Sequence, residues 1–418
     1  MDMLRITGGR RLTGRVPVAG AKNAALPALA ATLLTEDAVE LTNLPRVRDV
    51  RTMLRVLEQV GAEVHDRGDG SASIRVARLR SHETPYDLVK TMRASVLALG
   101  PLVARFGRAR VSLPGGCAIG ERPIDLHIDG LHKMGAVIAL EHGYVEAKAD
   151  RLRGATIEFP FVTVTGTENL MMAATLASGT TRLRRCAREP EIVDLASLLR
   201  AMGASITGDG TDEIVIEGGG PLHGAAHRVI PDRIEAATYL IAAAIAGDGV
   251  TVAGARADHL APVIAQLAGC GVGVAEEDGA LRVTRTGELT ARDVATSPHP
   301  GFPTDAQAQY MTLMTQARGT ATIEESVFEH RFMHVGELTR MGARIRIDGR
   351  RAIVSGPTRL TGAQVMATDL RASACLVLAG LVADGATVVD RVYHLDRGYE
   401  AMERKLGALG ASIERIRA

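Results

Sequence analysis

A short pattern of apolar and small residues recurs six times along the chain. It consists of Leu, two variable residues, an apolar residue, Gly, and then Ala or Val, and its glycines are spaced 68 to 74 residues apart. The Leu and the apolar residue three positions later share one face of a helix, and the Gly that follows can adopt the left-handed conformation that ends it. The pattern therefore predicts six helix ends, at Gly61, Gly135, Gly203, Gly271, Gly342 and Gly410.

Strand-like segments follow these glycines. Apolar and polar residues alternate at 343–347 and 411–416, which is the period of a half-buried strand. Earlier in each interval a second apolar helical run leads through a turn to another strand, most clearly at 173–183 and 378–389. Helices and strands thus alternate within each repeat, and we predict an α/β (α+β) fold.

Six repeats of this length indicate two compact domains of three repeats each rather than an open array. The Gly-Gly-Gly-Pro sequence at 218–221 marks a natural divide after the third repeat. Two such domains predict a cleft between them, and small ligands are usually held in such clefts.

Charge and composition narrow the range of partners. Lys and Arg number 49 against 48 for Asp and Glu, and this balance disfavours a general nucleic-acid binder. An anionic ligand would have to be bound by a local cluster of basic residues, because the chain has no overall positive charge. The N-terminus has no apolar run of signal-peptide length, and the most apolar stretches are too short to span a membrane. The four cysteines form no CxxC pair, which disfavours a zinc site and a disulfide framework. We therefore expect a soluble, cytoplasmic protein without a metal or another cofactor.

One cysteine lies in an unusual setting. Cys117 stands in the segment PGGCAIGERP, among three glycines and two prolines, and Arg108, Arg110 and Arg122 are near it in sequence. Such a loop is exposed, and neighbouring cations favour a thiolate. An ordinary turn with an incidental small residue is an equally good interpretation of this segment. Cys270 and Cys375 lie in apolar runs and are predicted to be core residues. The sequence around Cys186 does not indicate whether it belongs to the core.

Basic residues occur singly among small or apolar neighbours in both halves of the chain. An Arg or Lys in such surroundings at a helix start suggests an anion site, because the helix terminus adds donors of its own. Any one of them is more often structural, but six divided between two domains suit a doubly charged ligand. They are Lys22, Arg93, Arg122, Arg331, Arg371 and Arg397.

Two acidic residues, Asp305 and Asp369, immediately precede helical stretches. Helix capping is the simpler interpretation of both, and a general base near a substrate hydroxyl is the alternative. The histidines show no metal-like spacing. Composition and pattern thus indicate two α/β domains, a cationic cleft and one reactive cysteine, but they do not name a substrate.

Taken together, several segments resemble one family closely: VAGAKNAALPALAA, YDLVKTMRAS, SLPGGCAIGERPIDLHIDGL, AREPEIVD, PDRIEA, FPTDAQAQ, QVMATDLRASA and RVYHLDRGYE. The family is UDP-N-acetylglucosamine 1-carboxyvinyltransferase, the enolpyruvyl transferase of peptidoglycan synthesis, and the resemblance runs from Arg5 to the C-terminus. It implies an inside-out α/β barrel in each of two domains. Residues 22–229 would form the first domain, residues 1–21 and 230–418 the second, and the active site would lie in the cleft between them.

The resemblance also implies a reaction between two small-molecule substrates. The sugar 3-hydroxyl of UDP-N-acetylglucosamine adds to C2 of phosphoenolpyruvate while C3 takes a proton, and loss of phosphate then leaves the enolpyruvyl ether. Cys117 would be the acid, since a thiol is mostly protonated at neutral pH. Asp305 would be the base toward the hydroxyl, and Asp369 would assist proton movement. Covalent addition of Cys117 to phosphoenolpyruvate, and its modification by the epoxide antibiotic fosfomycin, are further implications.

The family's binding residues carry over by position. Lys22, Arg122 and Arg397 would hold the phosphate and its developing charge. The contacts to phosphoenolpyruvate as a whole would come from Lys22, Asn23, Arg93, Arg122, Arg371 and Arg397. The contacts to the nucleotide sugar would come from Asn23, Arg93, Arg122, Pro123, Ile124, Asp125, Leu126, His127, Thr163, Val164, Asp305 and Val327.

Two residues depart from the pattern of some relatives. Leu97 stands where some carry Trp, which removes an apolar platform, and Phe161 stands where some carry Lys near the diphosphate, which removes a charge.

Two other functions are alternatives at this point. The shikimate-pathway enolpyruvyl transferase shares the repeat architecture and phosphoenolpyruvate, but nothing in this sequence resembles its shikimate-binding signatures. A non-catalytic paralogue could bind a UDP-sugar as a sensor. A sensor needs neither an acid nor a base, so the presence of Lys22, Cys117, Asp305 and Arg397 together argues against it.

Overall fold

Helices and strands alternate through the structure, a computed structural model that describes residues 2–84, 86–89, 92–112, 124–285 and 287–417, apart from the side chains of residues 89 and 93. The α-helices of this part of the chain are α1 (Lys22–Ala31), α2 (Arg48–Val60), α3 (Tyr86–Val89), α4 (Leu99–Phe106), α5 (Asp125–Lys133), α6 (Val164–Thr175), α7 (Pro190–Ala201), α8 (Arg233–Ala246), α9 (Ala261–Gly269), α10 (Gln307–Gln316), α11 (His334–Arg340), α12 (Leu370–Val382) and α13 (Met402–Ala408). Short 3-10 helices lie at Thr32–Leu34, Arg93–Ala98, Thr304–Ala306 and Leu395–Arg397.

The strands of the described residues are β1 (Asp2–Thr7), β2 (Leu12–Pro17), β3 (Val39–Thr42), β4 (Glu63–Asp66), β5 (Ala72–Arg75), β6 (Glu83–Thr84), β7 (Arg108–Ser112), β8 (Val137–Glu141), β9 (Tyr144–Lys148), β10 (Thr156–Glu158), β11 (Gly179–Arg184), β12 (Ser205–Thr207), β13 (Glu213–Gly218), β14 (Ala226–Arg228), β15 (Gly247–Ala253), β16 (Val272–Glu277), β17 (Ala280–Arg285), β18 (Val294–Ala295), β19 (Gly319–Glu324), β20 (Arg344–Asp348), β21 (Arg351–Gly356), β22 (Gln364–Met366), β23 (Ala386–Asp390) and β24 (Ser412–Arg417).

These strands form six four-stranded sheets in the described residues, and all six share one topology. An edge strand runs parallel to its neighbour, and the next two strands across the sheet are antiparallel. In one sheet β18 is parallel to β19, β19 is antiparallel to β21, and β21 is antiparallel to β20. A helix joins the parallel pair because parallel strands need a crossover, whereas a tight turn joins β20 to β21. The predicted α/β class is therefore confirmed.

The six predicted helix ends are also confirmed. Helices α2, α5, α7, α9, α11 and α13 are each followed by the predicted glycine, and all six glycines have φ between 87° and 115°. At the end of α2, the Gly61 N–H donates to the carbonyls of Leu57 and Glu58, so the left-handed residue satisfies carbonyls that the helix leaves open. Leu57 and Val60 are fully buried, as their place on one helix face requires.

Three strands join sheets whose other strands are distant in sequence. Strand β14 pairs with β3, β1 lies between β23 and β24, and β2 pairs with β15. The contacts between Cα atoms divide the described residues into two compact units accordingly. In the described part of the chain, the first unit comprises residues within 20–112 and 124–230, and the second unit comprises residues within 2–19 and 231–417.

Each unit is built around three central helices with its own apolar core. In the first unit they are α1, α4 and α6, and in the second unit α8, α10 and α12. Helices α1 and α12 are rich in Ala, Leu and other apolar residues on every side, which is the pattern of a helix buried all round, whereas α10 also buries Gln and Thr side chains. Sheet strands lie outside them and alternate between buried and exposed residues, as β11 does. None of the described helices is long and apolar enough to cross a lipid bilayer.

Candidate active site

The predicted site residues collect at the first turns of the central helices in both units. In the first unit Lys22 and Asn23 begin α1, Arg93 begins the 3-10 helix that leads into α4, and Thr163 and Val164 begin α6. In the second unit Asp305 lies in the 3-10 helix that leads into α10, and Asp369 and Arg371 begin α12. The first turn of a helix has backbone N–H groups without intrahelical acceptors and a partial positive charge, so these positions suit anionic ligands.

Several predicted residues lie outside the described part of the chain. They are Cys117, Arg122 and Pro123, together with the side chain of Arg93.

Lys22 is held by a carboxylate that sequence reasoning did not single out. Its Nζ lies 3.4 Å from Asp49 Oδ2, and the two side chains are 12% and 6% exposed. Asp49 lies in the first turn of α2, where an acidic residue normally complements the helix dipole. This ion pair keeps the Lys22 ammonium group at the start of α1.

Asp305 lies against two buried arginines. Its Oδ1 is 2.5 Å from Arg331 Nη2 and 3.4 Å from Arg371 Nε. Both arginine side chains are 6% exposed, whereas that of Asp305 is 27% exposed. The sequence marks Arg331 only as one of the isolated basic residues, without a binding role. The structure places it beside the predicted base.

Arg371 remains charged in spite of its burial. Burial itself acts against the charge, but Asp305, Tyr399 and Asp232 outweigh it and raise the pKa of the guanidinium above its usual value. The ion pair with Asp305 therefore involves a permanent cation.

A buried glutamate connects two predicted nucleotide-sugar residues, Asp305 and Val327. Arg331 Nη1 donates to Thr304 Oγ1 at 2.8 Å, and Thr304 Oγ1 donates to Glu325 Oε2 at 2.8 Å. Glu325 is 1% exposed, and its Oε1 accepts from the backbone N–H of Val327 at 2.9 Å. The sequence does not point to Glu325, because its contact with Thr304 joins residues that lie 21 positions apart.

The two acidic candidates make different contacts. Asp369 caps α12, since its Oδ1 accepts from the backbone N–H groups of Arg371 and Ala372 at 2.7 and 3.0 Å. The capping interpretation is thus confirmed for Asp369. Asp305 does not occupy a cap position. It lies inside the 3-10 helix Thr304–Ala306, whose N-cap residue is Pro303, and the Asp305 carboxylate contacts Arg331 and Arg371.

His334 lies in the surroundings of Asp369 and Arg331. Burial lowers the pKa of its imidazole to about 4, with Asp369 acting in the opposite direction and Arg331 in the same one. It is therefore neutral at physiological pH.

Within the predicted segment 124–127, only part of the surface is accessible. Ile124 is half-buried, Asp125 is exposed at the start of α5, and Leu126 and His127 are buried. His127 Nδ1 lies 2.9 Å from Asn169 Nδ2, and its Nε2 lies 3.4 Å from Thr165 Oγ1. His127 thus fixes the start of α5 to α6.

Arg397 lies half-buried in the 3-10 helix Leu395–Arg397. The residue before it, Asp396, forms a two-point ion pair with Arg415 of β24 at 3.0 and 2.7 Å. Arg415 Nε also donates to Glu403 Oε1 of α13 at 3.0 Å. This clamp fixes the turn that carries Arg397 to the sheet.

The remaining cysteines are structural. Cys270 and Cys375 are buried, as predicted, and so is Cys186. Burial raises the pKa of the Cys186 thiol to about 12 and also raises that of Cys270. Such thiols are poor nucleophiles at neutral pH. In the described residues no group of three or more His, Cys, Asp and Glu side chains could hold a metal ion.

Leu97 and Phe161, the two residues that differ from those of some relatives, have different environments. Leu97 is 1% exposed and belongs to the core of the first unit, so a change there alters packing. Phe161 is 52% exposed, so it presents an apolar side chain to solvent.

The chain is similar to known proteins over nearly its whole length. The family of EPSP synthase (3-phosphoshikimate 1-carboxyvinyltransferase) matches residues 6–406. Curated proteins named UDP-N-acetylglucosamine 1-carboxyvinyltransferase match the whole chain. That of Magnetococcus marinus is 57% identical over 100% of both chains, and that of Solibacter usitatus is 58% identical over 100% of both.

Solved structures share the fold. The enolpyruvyl transferase NikO from Streptomyces tendae is 28% identical, with a TM-score of 0.91 over 100% of this chain and 99% of its own. EPSP synthase from Acinetobacter baumannii is 18% identical, with a TM-score of 0.77 over 100% of both chains, and so shows a common fold alone. The chain belongs to the EPSP synthase family and, within it, to the UDP-N-acetylglucosamine 1-carboxyvinyltransferases.

Proposed function

We propose that this protein transfers the enolpyruvyl group of phosphoenolpyruvate to the 3-hydroxyl of UDP-N-acetylglucosamine and releases phosphate, in the first committed step of peptidoglycan precursor synthesis. The observation that carries this proposal is the identity of 57–58% over the full chain with proteins named for that activity. The shikimate-pathway reaction is not favoured, since the EPSP synthase structures are only 18–19% identical.

The reaction is an addition followed by an elimination. The sugar oxygen bonds to C2 of phosphoenolpyruvate, the sugar hydroxyl loses its proton to a base, and C3 gains a proton from an acid. In the second step a proton leaves C3, the C2–O bond to phosphate breaks, and the double bond re-forms. An acid and a base must therefore lie on the two sides of the reacting carbons, and cations must stabilise the phosphate as it leaves.

We propose Cys117 as the acid, Asp305 as the base and Asp369 as an aid to proton movement. Two observations on the described residues support Asp305. Its side chain is more exposed than those of Arg331 and Arg371, and these two buried arginines hold its carboxylate in place. A positioned group loses little freedom on reaction, which is how orientation lowers a barrier. Arg331 and Arg371 are therefore assigned to holding this base.

For the anionic substrate we propose Lys22, Asn23, Arg93, Arg122, Arg371 and Arg397. The Lys22 ammonium group is fixed by Asp49 at the start of α1, where helix N–H groups add to its field. Arg397 is presented by a turn that Arg415 clamps. Each preorganised donor of this kind stabilises a developing charge by a few kcal/mol.

For the nucleotide sugar we propose Asn23, Arg93, Arg122, Pro123, Ile124, Asp125, Leu126, His127, Thr163, Val164, Asp305 and Val327. Asp125 is exposed and suited to direct contact, whereas Leu126 and His127 are buried and would act by shaping the start of α5. Thr163 caps α6 by accepting from the Gly166 N–H at 3.2 Å. The domain bounds of 22–229 and of 1–21 with 230–418, and a reaction between the domains, stay predictions.

Phosphate release from phosphoenolpyruvate tests the proposal directly. It would be measured with and without UDP-N-acetylglucosamine, in the wild type and in Cys117→Ser. We expect release that requires the nucleotide sugar and falls by roughly 10²-fold or more in the variant, because a serine hydroxyl is a far weaker acid than a thiol. Cys186→Ser, at a buried thiol outside the proposed site, is the matched control.

The other outcomes are equally informative. Sugar-dependent release that survives in Cys117→Ser would keep the reaction and remove Cys117 as the essential acid. Binding of UDP-N-acetylglucosamine without any phosphate release in the wild type would contradict the enzyme and favour a sensor.

A further inference from the structure

The buried carboxylate of Glu325 is surrounded by hydrogen-bond donors. Its Oε1 accepts from the Thr296 hydroxyl at 2.9 Å and from the backbone N–H groups of Val327 and Phe328 at 2.9 and 3.1 Å. Its Oε2 accepts from the Thr304 hydroxyl at 2.8 Å. Both oxygens only accept, which is the pattern of an ionised carboxylate. All four donors are neutral, so within the described residues this buried charge has no cation in direct contact.

A cation lies one hydroxyl group away. Thr304 has a single hydroxyl proton, and because a carboxylate can only accept, that proton faces Glu325. The same Thr304 oxygen accepts from Arg331 Nη1 at 2.8 Å, and Arg331 Nη2 lies 2.5 Å from Asp305 Oδ1. The guanidinium of Arg331 therefore lies between two carboxylates. It contacts Asp305 directly and is separated from Glu325 by the Thr304 hydroxyl.

A second route also joins Glu325 to Arg331. The guanidinium carbon of Arg331 lies 5.1 Å from the centre of the Phe328 ring, within the range of a cation–π contact. The backbone N–H of Phe328 is one of the donors to Glu325 Oε1. Glu325 is thus hydrogen-bonded to Thr304 and to Phe328, and each of these two residues contacts Arg331 separately.

Two carboxylates near one guanidinium compete for it. A direct ion pair between Glu325 and Arg331 would draw the guanidinium away from Asp305, because a charge-assisted hydrogen bond is stronger than a neutral one. The Thr304 hydroxyl prevents that ion pair by donating to Oε2, while three other donors occupy Oε1. Glu325 therefore fixes the groups around Arg331 and leaves the guanidinium directed at Asp305.

We propose that Glu325 is a positioning residue for the reaction: through Thr304 and Phe328 it sets the direction in which Arg331 faces Asp305. The inference rests on the proposed function, in which Asp305 takes the proton of the sugar hydroxyl. The other described charged and titratable groups around this cluster are Arg371 beside Asp305, His334 near Arg331, Asp369 near His334, and Asp232 and Tyr399 near Arg371.

The variant Glu325→Gln keeps the size of the side chain and reverses one hydrogen bond. Its amide oxygen must face the N–H groups of Val327 and Phe328, so its amide nitrogen faces Thr304 and puts a donor where an acceptor was. We expect kcat to fall roughly ten- to hundredfold, as for a reacting group displaced by about an ångström. KM for UDP-N-acetylglucosamine should change by less than about threefold, because the backbone at Val327 keeps its hydrogen bond.

The variant Thr304→Val breaks the same link without a change of charge. Glu325 and Arg331 can then pair directly, and kcat should fall to a similar extent. A base that loses its cation holds its proton more readily, so the acid limb of the kcat profile should move to higher pH. Glu325→Gln does not serve for this measurement, because the loss of a negative charge acts on Asp305 in the opposite direction. Thr304→Ser keeps the hydroxyl and should recover most of kcat and the wild-type acid limb.

The double variant shows whether Glu325 and Thr304 act through one link. If they do, Glu325→Gln combined with Thr304→Val should lose no more than about threefold in kcat beyond the more severe single variant. Two independent disturbances of the structure would instead multiply the two losses.

Thr315→Val is the matched control. Thr315 lies in the last turn of α10, whereas Thr304 lies in the 3-10 helix that leads into its first turn. The Thr315 hydroxyl donates to the Thr312 carbonyl at 2.7 Å and accepts from Gln316 Nε2 at 3.0 Å, so it also has one donated and one accepted hydrogen bond. Its removal destabilises the same helix, but kcat and the acid limb should stay at their wild-type values.

Several outcomes would overturn the inference. A folded Glu325→Gln with wild-type kcat is one, and multiplied losses in the double variant are another. A fall of kcat in Thr315→Val equal to that in Thr304→Val, or a Thr304→Ser that recovers nothing, would also contradict it. Wild-type protein that releases no phosphate would contradict the proposed function itself, whereas a fully active wild type with unaffected variants would contradict only the role of Glu325. Thermal unfolding of each variant separates these cases from loss of folded protein.

Discussion

At the scale of single residues, His127 is kept neutral by its surroundings. Asn169 Oδ1 accepts from the Gly100 N–H at 2.8 Å, so its Nδ2 must face His127 Nδ1 as a donor. Nδ1 therefore accepts, and the ring proton lies on Nε2 toward Thr165. A second proton on Nδ1 would face the Asn169 donor. Burial accordingly lowers the pKa of His127 from 6.5 to about 4.

This histidine predicts a pH dependence of stability. The unfolded chain binds the proton at pH values below about 6.5, whereas the folded chain does so only below about 4, so stability is lost as pH falls between those values. In His127→Gln this contribution disappears. The difference in free energy of unfolding between wild type and variant should thus shrink by roughly 2–3 kcal/mol from pH 7.5 to pH 4.

Urea unfolding of both proteins at several pH values measures this difference. The range from pH 7 to 8 is an internal control, because the imidazole is neutral there in both states and the difference should be constant. A difference that is also constant from pH 6.5 down to pH 4 would contradict the neutral, buried His127.

Single residues also show what the sequence could predict of the site. Lys22 and Arg371 stand out because a basic residue among small or apolar neighbours at the start of a helix is unusual, and Asp305 stands out only through the resemblance to the family. Asp49 and Glu325 do not stand out, since an acidic residue near a helix or strand end is common. Their roles arise from Lys22 and Thr304, which lie 27 and 21 positions away. Only the fold brings these partners together.

At the scale of elements, the helix-ending glycines differ in how much space surrounds them. Gly61 has φ of 115°, and a Cβ there would lie 2.7 Å from the Arg80 backbone nitrogen and 2.9 Å from the Arg78 carbonyl oxygen. Gly135 has φ of 96°, but a Cβ there would meet nothing within 4 Å. The two positions are otherwise equivalent, so they separate backbone strain from collision.

We predict that Gly135→Ala lowers the free energy of unfolding by about 1–2 kcal/mol, the cost of a left-handed non-glycine residue. Gly61→Ala should cost clearly more, because the added Cβ collides with backbone that cannot move like a side chain. Thermal and urea unfolding of the two variants give the comparison. Equal losses of unfolding free energy in the two variants would mean that the backbone around Arg80 moves to accommodate the added Cβ, and that the collision at Gly61 does not destabilise the protein further.

The elements that sequence could predict are those formed by local rules. The helix ends at Gly61 and Gly410 follow from six adjacent residues, and the strands after them follow from simple alternation. The pairing of β14 with β3, and of β1 with β23 and β24, cannot be read in this way. Neighbouring strands that are far apart in sequence leave no periodic signal, because each strand alternates in the same way whatever its partner.

At the scale of the whole molecule, the two units differ in how the chain builds them. The described residues of the first unit all lie between positions 20 and 230, and β14 near the end of this range pairs with β3 near its beginning. The second unit needs residues 2–19, since β1 is an interior strand of one sheet and β2 an edge strand of another. Leu4, Ile6, Leu12 and Val16 of these strands are at most 1% exposed. A chain that begins at residue 231 would thus lack part of its core and leave β23 and β24 without the strand between them.

The ends of the second unit suggest how it could be made continuous. Asp2 and Arg417 are directly opposite each other in the antiparallel pair of β1 and β24. A two-residue Asn-Gly turn suits such a hairpin, because its twist matches that of the strands.

We predict that residues 231–417 followed by Asn-Gly and residues 2–19 fold alone, with one cooperative thermal transition and a native far-ultraviolet spectrum. Residues 231–417 without the added strands should fail to do so, because apolar surface and strand edges stay exposed. Residues 20–230, expressed alone, are the positive control for a continuous unit. If the permuted protein stayed unfolded while residues 20–230 folded, the pairing of β1 with β24 would not suffice, and the second unit would need the rest of the chain to fold.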